Sequence, residues 1–294
     1  MPDVITFVEP PARTGEERLP GGRLLGWAEW GPRDGIPVLL SPGAATSRSL
    51  GFGAEAVPGL GVRLISVDRP GLGASTPAPG RTFVDFAEDI GVFADRRNLG
   101  RPAMVGNSQG APFALACAAA GVTGALAVVS GADEVADPRF ADALPPELRR
   151  LVDLAVADPG AATTVFARFT PQDMWDMVMA GSPACDLAVY QEESFAAAYR
   201  GALREGFVQG GGGYARDTVL AMGRWRIDLS SIKVPVDVWY GAEDLGHSPD
   251  QGAGLALRIP GAVRHVVPGI GGAVLWTEAH RILSVLVKHV ERSS

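Results

Sequence analysis

The sequence feature that most restricts the fold is a five-residue run, 106–110, with the pattern Gly-x-Ser-x-Gly. A short apolar run, 102–105, precedes it, and ten small or apolar residues, 111–120, follow it. The first run is typical of a buried strand and the second of a buried helix. A strand, a tight turn flanked by glycines and a helix form the context in which this pattern presents a nucleophilic serine.

Both glycines of the run, Gly106 and Gly110, are expected to be needed for the tight turn. A side chain at either position would collide with the adjoining strand or helix, and Ser108 between them is expected in a strained backbone conformation with its hydroxyl projecting. The N-terminus of the following helix would lie beneath an oxyanion formed nearby. Because the chain has 38 glycines, the pattern alone could be an ordinary turn, and its flanking elements are what favour a nucleophile.

Composition narrows the possible partners. The net charge is −7 without any block of lysine or arginine, so nucleic acid and anionic membranes are poor candidates. Residues 1–20 lack the apolar core of a signal peptide, and no run approaches the roughly 18 apolar residues that a membrane span needs. Cys117 and Cys185 do not form a disulfide framework. We predict a cytoplasmic protein.

The sequence contains no motif for a cofactor or a metal. There is no His-Glu-x-x-His helix, no cysteine or histidine cluster with metal-type spacing and no Walker loop. The run Gly71-Leu72-Gly73 lacks the third glycine of a dinucleotide fingerprint. We therefore predict no cofactor, a small hydrophobic substrate as the partner, and either a monomer or a homodimer.

Strands and helices alternate in two parts of the chain, residues 1–133 and 231–294. Apolar runs such as 37–41 and 62–68 have the length of buried strands, and 82–98 has apolar residues at helical spacing. This alternation predicts an α/β fold, with a mainly parallel sheet and helices on both faces. We assign both parts to one core domain.

Residues 134–230 interrupt the alternation with mostly helix-like segments between proline-rich and glycine-rich breaks. Four consecutive glycines, 210–213, are interpreted as a hinge or linker by composition. Since ligands bind at the carboxyl ends of parallel strands, a helical insertion there predicts a cap, or lid, over the site. The alternative is that the helices only add packing. The predicted helices of this insertion are 145–156, 161–169, 172–180 and 191–204.

These features resemble the α/β-hydrolase superfamily over residues 15–290. Besides the elbow at 106–110, the resemblance is carried by three loops that follow predicted strands and by the segment that leads from the cap back to the core. It implies an eight-stranded, mainly parallel sheet with an inserted helical cap, but says little about the substrate, because this fold hosts many reactions. The carriers are Ser41-Pro42-Gly43-Ala44, Asp68-Arg69-Pro70-Gly71-Leu72-Gly73-Ala74-Ser75, Tyr240-Gly241-Ala242-Glu243-Asp244 and residues 213–229.

The resemblance also implies roles for individual residues. Ser108 corresponds to the nucleophile, and Asp244, after the strand that follows the cap, corresponds to the acid of a catalytic triad. Asp133 is an alternative acid, since some members carry the acid after the preceding strand. The oxyanion hole would consist of the backbone N–H groups of Gln109 and Ala44, which point at developing negative charge.

The sequence departs from the superfamily at the general base. Members carry a histidine shortly after the last strand, in a Gly-x-Gly-His run, and the matching position here is Gly272. A glycine cannot accept a proton, and a serine hydroxyl without a base is a poor nucleophile at neutral pH. Gly272 is either a natural feature or an engineered replacement of the histidine, and one sequence does not separate the two.

Four histidines are available to supply the missing imidazole. His265 lies in the last predicted strand and two others lie in the terminal helix, where structural roles are expected. His247 lies in the loop that carries Asp244, at the same edge of the sheet as the elbow. We hypothesise that His247 is a relocated base whose ring fills the space left by Gly272. The alternative is a residue that caps the next helix or lines the pocket.

Three functions agree with this sequence. The first is a serine hydrolase that cleaves an ester, lactone or thioester of a small hydrophobic metabolite, with Ser108, His247 and Asp244 as its triad. The second is a non-hydrolytic enzyme of the same fold, a lyase, cyclase or cofactor-free oxygenase, which Gly272 favours. The third is a catalytically silent protein that binds a ligand in the pocket.

Overall fold

The structure, a computed structural model, describes residues 7–293 of the chain. Residues 1–6 and 294, which belong to the predicted core domain, lie outside the described residues. Within residues 7–293 the backbone forms one eight-stranded sheet. The strands are β1 (Arg13–Arg18), β2 (Leu24–Trp30), β3 (Ile36–Ser41), β4 (Val62–Val67), β5 (Ala103–Asn107), β6 (Ala125–Val129), β7 (Val236–Gly241) and β8 (Val263–Val267).

The sheet has the strand order β1-β2-β4-β3-β5-β6-β7-β8. Only the pairs β1–β2 and β2–β4 are antiparallel, and the strands from β4 onward run parallel to one another. The predicted α/β-hydrolase architecture, a mainly parallel eight-stranded sheet, is confirmed. The carboxyl ends of β3, β5, β6 and β7 therefore meet at one edge, where the loops that follow them can converge.

Helices cover both faces of the sheet. Their bounds are α1 (Ala56–Gly59), α2 (Phe83–Arg96), α3 (Ala111–Ala119), α4 (Pro146–Ala157), α5 (Pro159–Phe166), α6 (Pro171–Gly181), α7 (Ala184–Tyr190), α8 (Glu193–Gly206), α9 (Gly212–Met222), α10 (Ala253–Arg258), α11 (Val274–Thr277) and α12 (Ala279–Ser293).

Alternate residues of the central strands point to opposite faces, as the strand period requires. Val38 and Leu40 belong to one buried cluster, which also holds Leu283 of α12. Leu39 belongs to the other, together with Phe86 of α2 and other residues of α2 and α3. The sheet is thus buried on both sides, which explains why its strands appear in the sequence as continuous apolar runs.

Helices α4 to α9, here called the cap helices, lie in the sequence between β6 and β7. Their buried residues join the cluster that also contains Val105 of β5, and Gly206 of α8 lies against the carbonyl of Ala45, in the loop that follows the carboxyl end of β3. Domain boundaries at residues 134 and 230 stay a prediction. One expectation is wrong in part: Gly212 and Gly213, predicted as linker, form the first turn of α9.

The reason for glycine at position 213 is a close backbone approach. A Cβ atom there would collide with the carbonyl of Gly71, in the loop after β4. Glycine therefore serves here to bring a cap helix against the core, and not to keep the chain flexible. Among residues 7–293, no helix combines the length and the apolar character that crossing a membrane requires.

Candidate active site

Ser108 lies at a sharp turn between β5 and α3, with backbone φ of +49°. This left-handed conformation is strained for a residue with a side chain. The flanking glycines make the turn possible. A Cβ on Gly106 would lie 2.7 Å from Cβ of Ala114 in α3, and one on Gly110 would collide with the carbonyl of Ser41 in β3. The turn therefore has the strained backbone expected for the Gly-x-Ser-x-Gly run.

The ring of His247 lies between Ser108 and Asp244. Its Nε2 is 3.0 Å from Oγ of Ser108, and its Nδ1 is 3.0 Å from both carboxylate oxygens of Asp244. Because an ionised carboxylate only accepts hydrogen bonds, Nδ1 carries a proton and donates a hydrogen bond to Asp244. The lone pair of Nε2 then faces the Ser108 hydroxyl, the arrangement that a general base needs.

The loop that holds both residues is shaped by Asp244 itself. Its Oδ1 accepts hydrogen bonds from the backbone N–H groups of Gly246 (3.3 Å) and His247 (3.2 Å). An aspartate that binds backbone amides two and three residues ahead closes a local turn. The acid therefore both orients the imidazole and folds the loop that carries it, which explains how two residues only three apart form one pair.

Gly272 lies directly beside this imidazole. A Cβ at position 272 would be 2.9 Å from Cε1 of His247, which is closer than real Cβ atoms approach, and 3.4 Å from its Nδ1. The ring thus occupies the space that a side chain at 272 would need. The structure brings the sequence-predicted residues Ser108, Asp244, His247 and Gly272 together in one place.

The protonation of the pair follows from opposing effects. Burial by itself lowers the pKa of His247, but the charge of Asp244 and its hydrogen bond outweigh burial, and the pKa is raised above the ordinary 6.5. Burial likewise opposes ionisation of Asp244, yet the charge and hydrogen bonds of His247 leave its pKa lowered. Each partner stabilises the charged form of the other.

Asp133, the alternative acid, has its carboxylate directed elsewhere. Its side chain accepts hydrogen bonds from Ser248 Oγ (3.1 Å) and from the guanidinium of Arg258 (3.0 Å). Its backbone N–H donates to the carbonyl of His247 at 3.2 Å. The structure therefore does not bring the Asp133 carboxylate to the imidazole. Asp133 instead contacts the loop that carries Asp244 and His247, through His247 and Ser248. Burial raises the pKa of Asp133.

The loop after β3 lies against Ser108. A Cβ on Gly43 would be 3.5 Å from Cβ of Ser108, so the backbone from Gly43 to Ala44 runs beside the serine. The buried guanidinium of Arg69 holds this loop by donating to the carbonyls of Pro42 (2.5 Å) and Gly43 (2.9 Å). The N–H of Ala44 thus belongs to a loop beside Ser108, and the N–H of Gln109 belongs to the turn that carries Ser108.

A cavity of about 820 Å³ opens over Ser108 and His247. This volume lies in the upper part of the range of small-molecule sites. Four carboxylates line it and, within the part of the chain that the structure describes, no lysine or arginine does. The acidic lining residues are Asp133, Asp186, Glu243 and Asp244. Apolar lining residues include Phe166, Phe169, Met174, Met177, Tyr190, Leu275 and Trp276.

Sequence reasoning missed Asp186, a buried residue of α7. Its carboxylate accepts hydrogen bonds from the backbone N–H groups of three consecutive residues, Gly271, Gly272 and Ala273. The only signal in the sequence is one acidic residue within an otherwise largely apolar stretch, 184–190. Such a residue could equally have been on the protein surface, because its partners are 85 or more positions away.

Two other histidines share one carboxylate far along the chain from the elbow. Nε2 of His265 is 2.7 Å and Nε2 of His289 is 2.8 Å from the two oxygens of Asp237. The ring of His265 also stacks on Trp239, with centroids 3.9 Å apart. These contacts agree with structural roles. Within residues 7–293, no group of three or more histidine, cysteine or acidic side chains is arranged to hold a metal ion.

Comparison with known proteins agrees with the fold described above. A family described as "alpha/beta hydrolase fold" matches residues 36–279. No curated protein matches the sequence.

Several solved structures share the fold at low identity. An enol-lactonase from Burkholderia xenovorans LB400 is 20% identical with a TM-score of 0.64, covering 94% of this chain and 100% of that one. An esterase from Rhodococcus sp. ECU1013 is 16% identical with a TM-score of 0.64, covering 96% and 99%. A bromoperoxidase from Bacillus anthracis is 17% identical with a TM-score of 0.68, covering 94% and 100%.

Proposed function

The chain belongs to the α/β-hydrolase fold family, and from this premise we propose that it is a serine hydrolase that cleaves an ester, lactone or thioester bond. The observation that carries the proposal is the continuous line of hydrogen-bonding contacts from Ser108 through His247 to Asp244, with 3.0 Å at each step. The esterase and lactonase among the similar structures have related activities by name.

In the proposed reaction Oγ of Ser108 attacks the carbonyl carbon while Nε2 of His247 takes the hydroxyl proton. Asp244 stabilises the imidazolium that results. The negative charge on the former carbonyl oxygen is stabilised by the N–H groups of Gln109 and Ala44. The imidazolium then gives its proton to the leaving alcohol or thiol, and an acyl-serine remains. A water molecule, deprotonated by His247, releases the acid and restores the Ser108 hydroxyl.

Gly272 is the sequence feature that favours a non-hydrolytic enzyme of this fold. In the structure the space beside Gly272 holds the imidazole of His247, with Cε1 2.9 Å from where a Cβ would be. This placement supports hydrolysis, because the serine has a base within hydrogen-bonding distance although the usual position is a glycine.

The cavity supports a neutral, hydrophobic substrate. Its lining is mostly apolar, and its charged side chains are carboxylates. An anionic group on the substrate would meet negative potential in a low-dielectric site, where repulsion is stronger than in water. We expect a small hydrophobic metabolite whose cleaved bond is its polar centre, turned over in the cytoplasm by a monomer or a homodimer.

The test is hydrolysis of p-nitrophenyl esters of increasing acyl length, together with neutral lactones. We expect turnover by the natural chain, and a loss of about 10⁴-fold or more in Ser108→Ala and in His247→Ala. A matched control is His280→Ala, which removes an exposed imidazole from α12 and should keep full activity. A fluorophosphonate probe should label the natural chain but not Ser108→Ala.

Each alternative has its own outcome in this experiment. Full activity of His247→Ala beside an inactive Ser108→Ala would show that His247 is not the base. Activity that survives Ser108→Ala would indicate a non-hydrolytic reaction. Tight ligand binding with neither turnover nor labelling would indicate a silent binding protein.

A further inference from the structure

Asp186 of α7 is a buried carboxylate that accepts hydrogen bonds from three backbone amides, and within the described residues no lysine or arginine forms an ion pair with it. Asp186 is only 1% exposed to solvent. Oδ1 accepts from the N–H of Gly271 at 2.9 Å and of Ala273 at 3.3 Å, and Oδ2 accepts from that of Gly272 at 2.6 Å. Three convergent amides form a concave anion site in the backbone, so this cap residue fills a site made by the core.

The core loop is built to admit that carboxylate. A Cβ on Gly271 would collide with Oδ2 of Asp186 and would lie 2.8 Å from Cγ of Pro183, the residue just before α7. Gly271 therefore permits close contact between the loop after β8 and the start of α7. Gly271 thus provides both a backbone donor for the Asp186 carboxylate and the space that the carboxylate occupies.

The same loop defines the place of the imidazole. The amide of Gly272 donates to Asp186, while the other side of this residue faces His247, as the 2.9 Å separation from Cε1 shows. A Cβ on Gly272 would also be 3.5 Å from the hydroxyl of Tyr190, which is one helical turn after Asp186 in α7. A shift of Gly272 toward the ring would displace His247 from its position between Ser108 and Asp244.

Asp186 also acts on His247 through its charge. The groups that act on the imidazole are Asp244 from its own loop and Asp186 from α7; Ser108 and the buried phenol of Tyr190 lie close to it. After the effects of burial and of Asp244, the negative charge of Asp186 further raises the pKa of His247. A buried carboxylate held by backbone amides interacts strongly with nearby charges, because the effective dielectric constant of the interior is low.

From these contacts we propose that Asp186 is a positioning residue: it fixes the 271–273 loop from the cap, and the fixed loop keeps the ring of His247 within reach of Ser108. The proposal rests on the base role proposed for His247. It makes one cap helix a part of the active-site framework, in addition to its contribution to the cavity wall.

The variant that tests the proposal is Asp186→Asn in the full chain. Asparagine keeps the size of the side chain but replaces one acceptor with an N–H₂ group that faces backbone donors. With a p-nitrophenyl ester we expect kcat to fall about ten- to a hundredfold, with a smaller change in KM. The acid limb of the pH–kcat/KM profile should move to lower pH, because the imidazolium has lost a stabilising charge.

A matched control is Asp176→Asn, which removes the same charge from the exposed face of α6. It should change neither kcat nor the position of the acid limb. A role of Asp186 in folding alone would lower thermal stability without moving the acid limb, and that result would overturn the proposal. So would natural values of kcat and of the pH profile in Asp186→Asn.

Two further measurements keep the test independent of folding and of the proposed reaction. If Asp186→Asn does not fold, Gly271→Ala displaces the carboxylate from the core side and should give the same pattern. An NMR titration of the Cε1 proton of His247, assigned by its absence in His247→Ala, needs no substrate. A lower midpoint in Asp186→Asn supports the positioning role even if no ester is cleaved, and an unchanged midpoint contradicts it.

Discussion

Replacing Gly272 by alanine tests how tightly the imidazole is confined. The new Cβ would lie 2.9 Å from Cε1 of His247, whereas carbon atoms in contact prefer about 3.5–4.0 Å. The ring must therefore retreat by roughly 0.6–1.1 Å. A ring displacement of that size disturbs the 3.0 Å contact between Nε2 and Oγ of Ser108, because a hydrogen bond weakens steeply as its distance and angle leave the preferred range.

We expect kcat of Gly272→Ala to fall about 10²-fold, the usual cost of a misplacement of about 1 Å. This corresponds to roughly 2.7 kcal/mol in activation free energy. Gly272 does not have a positive φ, so alanine is compatible with its backbone and the fold should be retained. The assay is kcat and KM on a p-nitrophenyl ester, with the melting temperature measured in parallel.

The control is Gly201→Ala in α8, where a Cβ meets nothing within 4 Å. It should keep natural activity, because it makes the same chemical change in open space. The reasoning is refuted if Gly272→Ala keeps kcat within twofold of the natural chain while it remains folded. A crystal structure of that variant should show the His247 ring displaced from Ser108.

Three more predictions follow from the same geometry. Because only neutral His247 accepts a proton and its pKa is raised, kcat/KM should fall as pH is lowered, with the acid limb above about 6.5; a limb well below 6.5 contradicts this. Gly272→His should lower activity in the natural chain but raise it in His247→Ala, measured by ester hydrolysis; a gain in the natural chain would instead indicate a replaced histidine. A terminal carboxylate should reduce kcat/KM about tenfold or more between p-nitrophenyl hexanoate and the adipate half-ester; equal rates contradict a negative cavity.

Much of the fold was predictable from the sequence, because each strand near the site is a local apolar run and the tight turn needs its two glycines. The position of Asp244 after β7 followed from the resemblance. The placement of His247 beside Gly272 was predictable as a hypothesis, since both residues follow neighbouring strands whose carboxyl ends meet. Adjacent strands in a parallel sheet bring such loops together whatever their separation in the chain.

Other features could not be predicted, because they depend on contacts between residues that are distant in the sequence. The hydrogen bonds of Asp186 join α7 to a loop 85 or more residues away, and Gly213 begins α9 because of an approach to Gly71 that only the folded chain shows. The terminal helix expected from the sequence is divided into α11 and α12 at Glu278, without a glycine or proline to mark the break.

The placement of Asp244 and His247 three residues apart has a mechanical consequence. In an arrangement that takes the two from separate loops, independent motion of either loop changes their distance. Here one turn, closed by hydrogen bonds to the Asp244 carboxylate, carries both side chains, so a motion of the loop moves them together relative to Ser108.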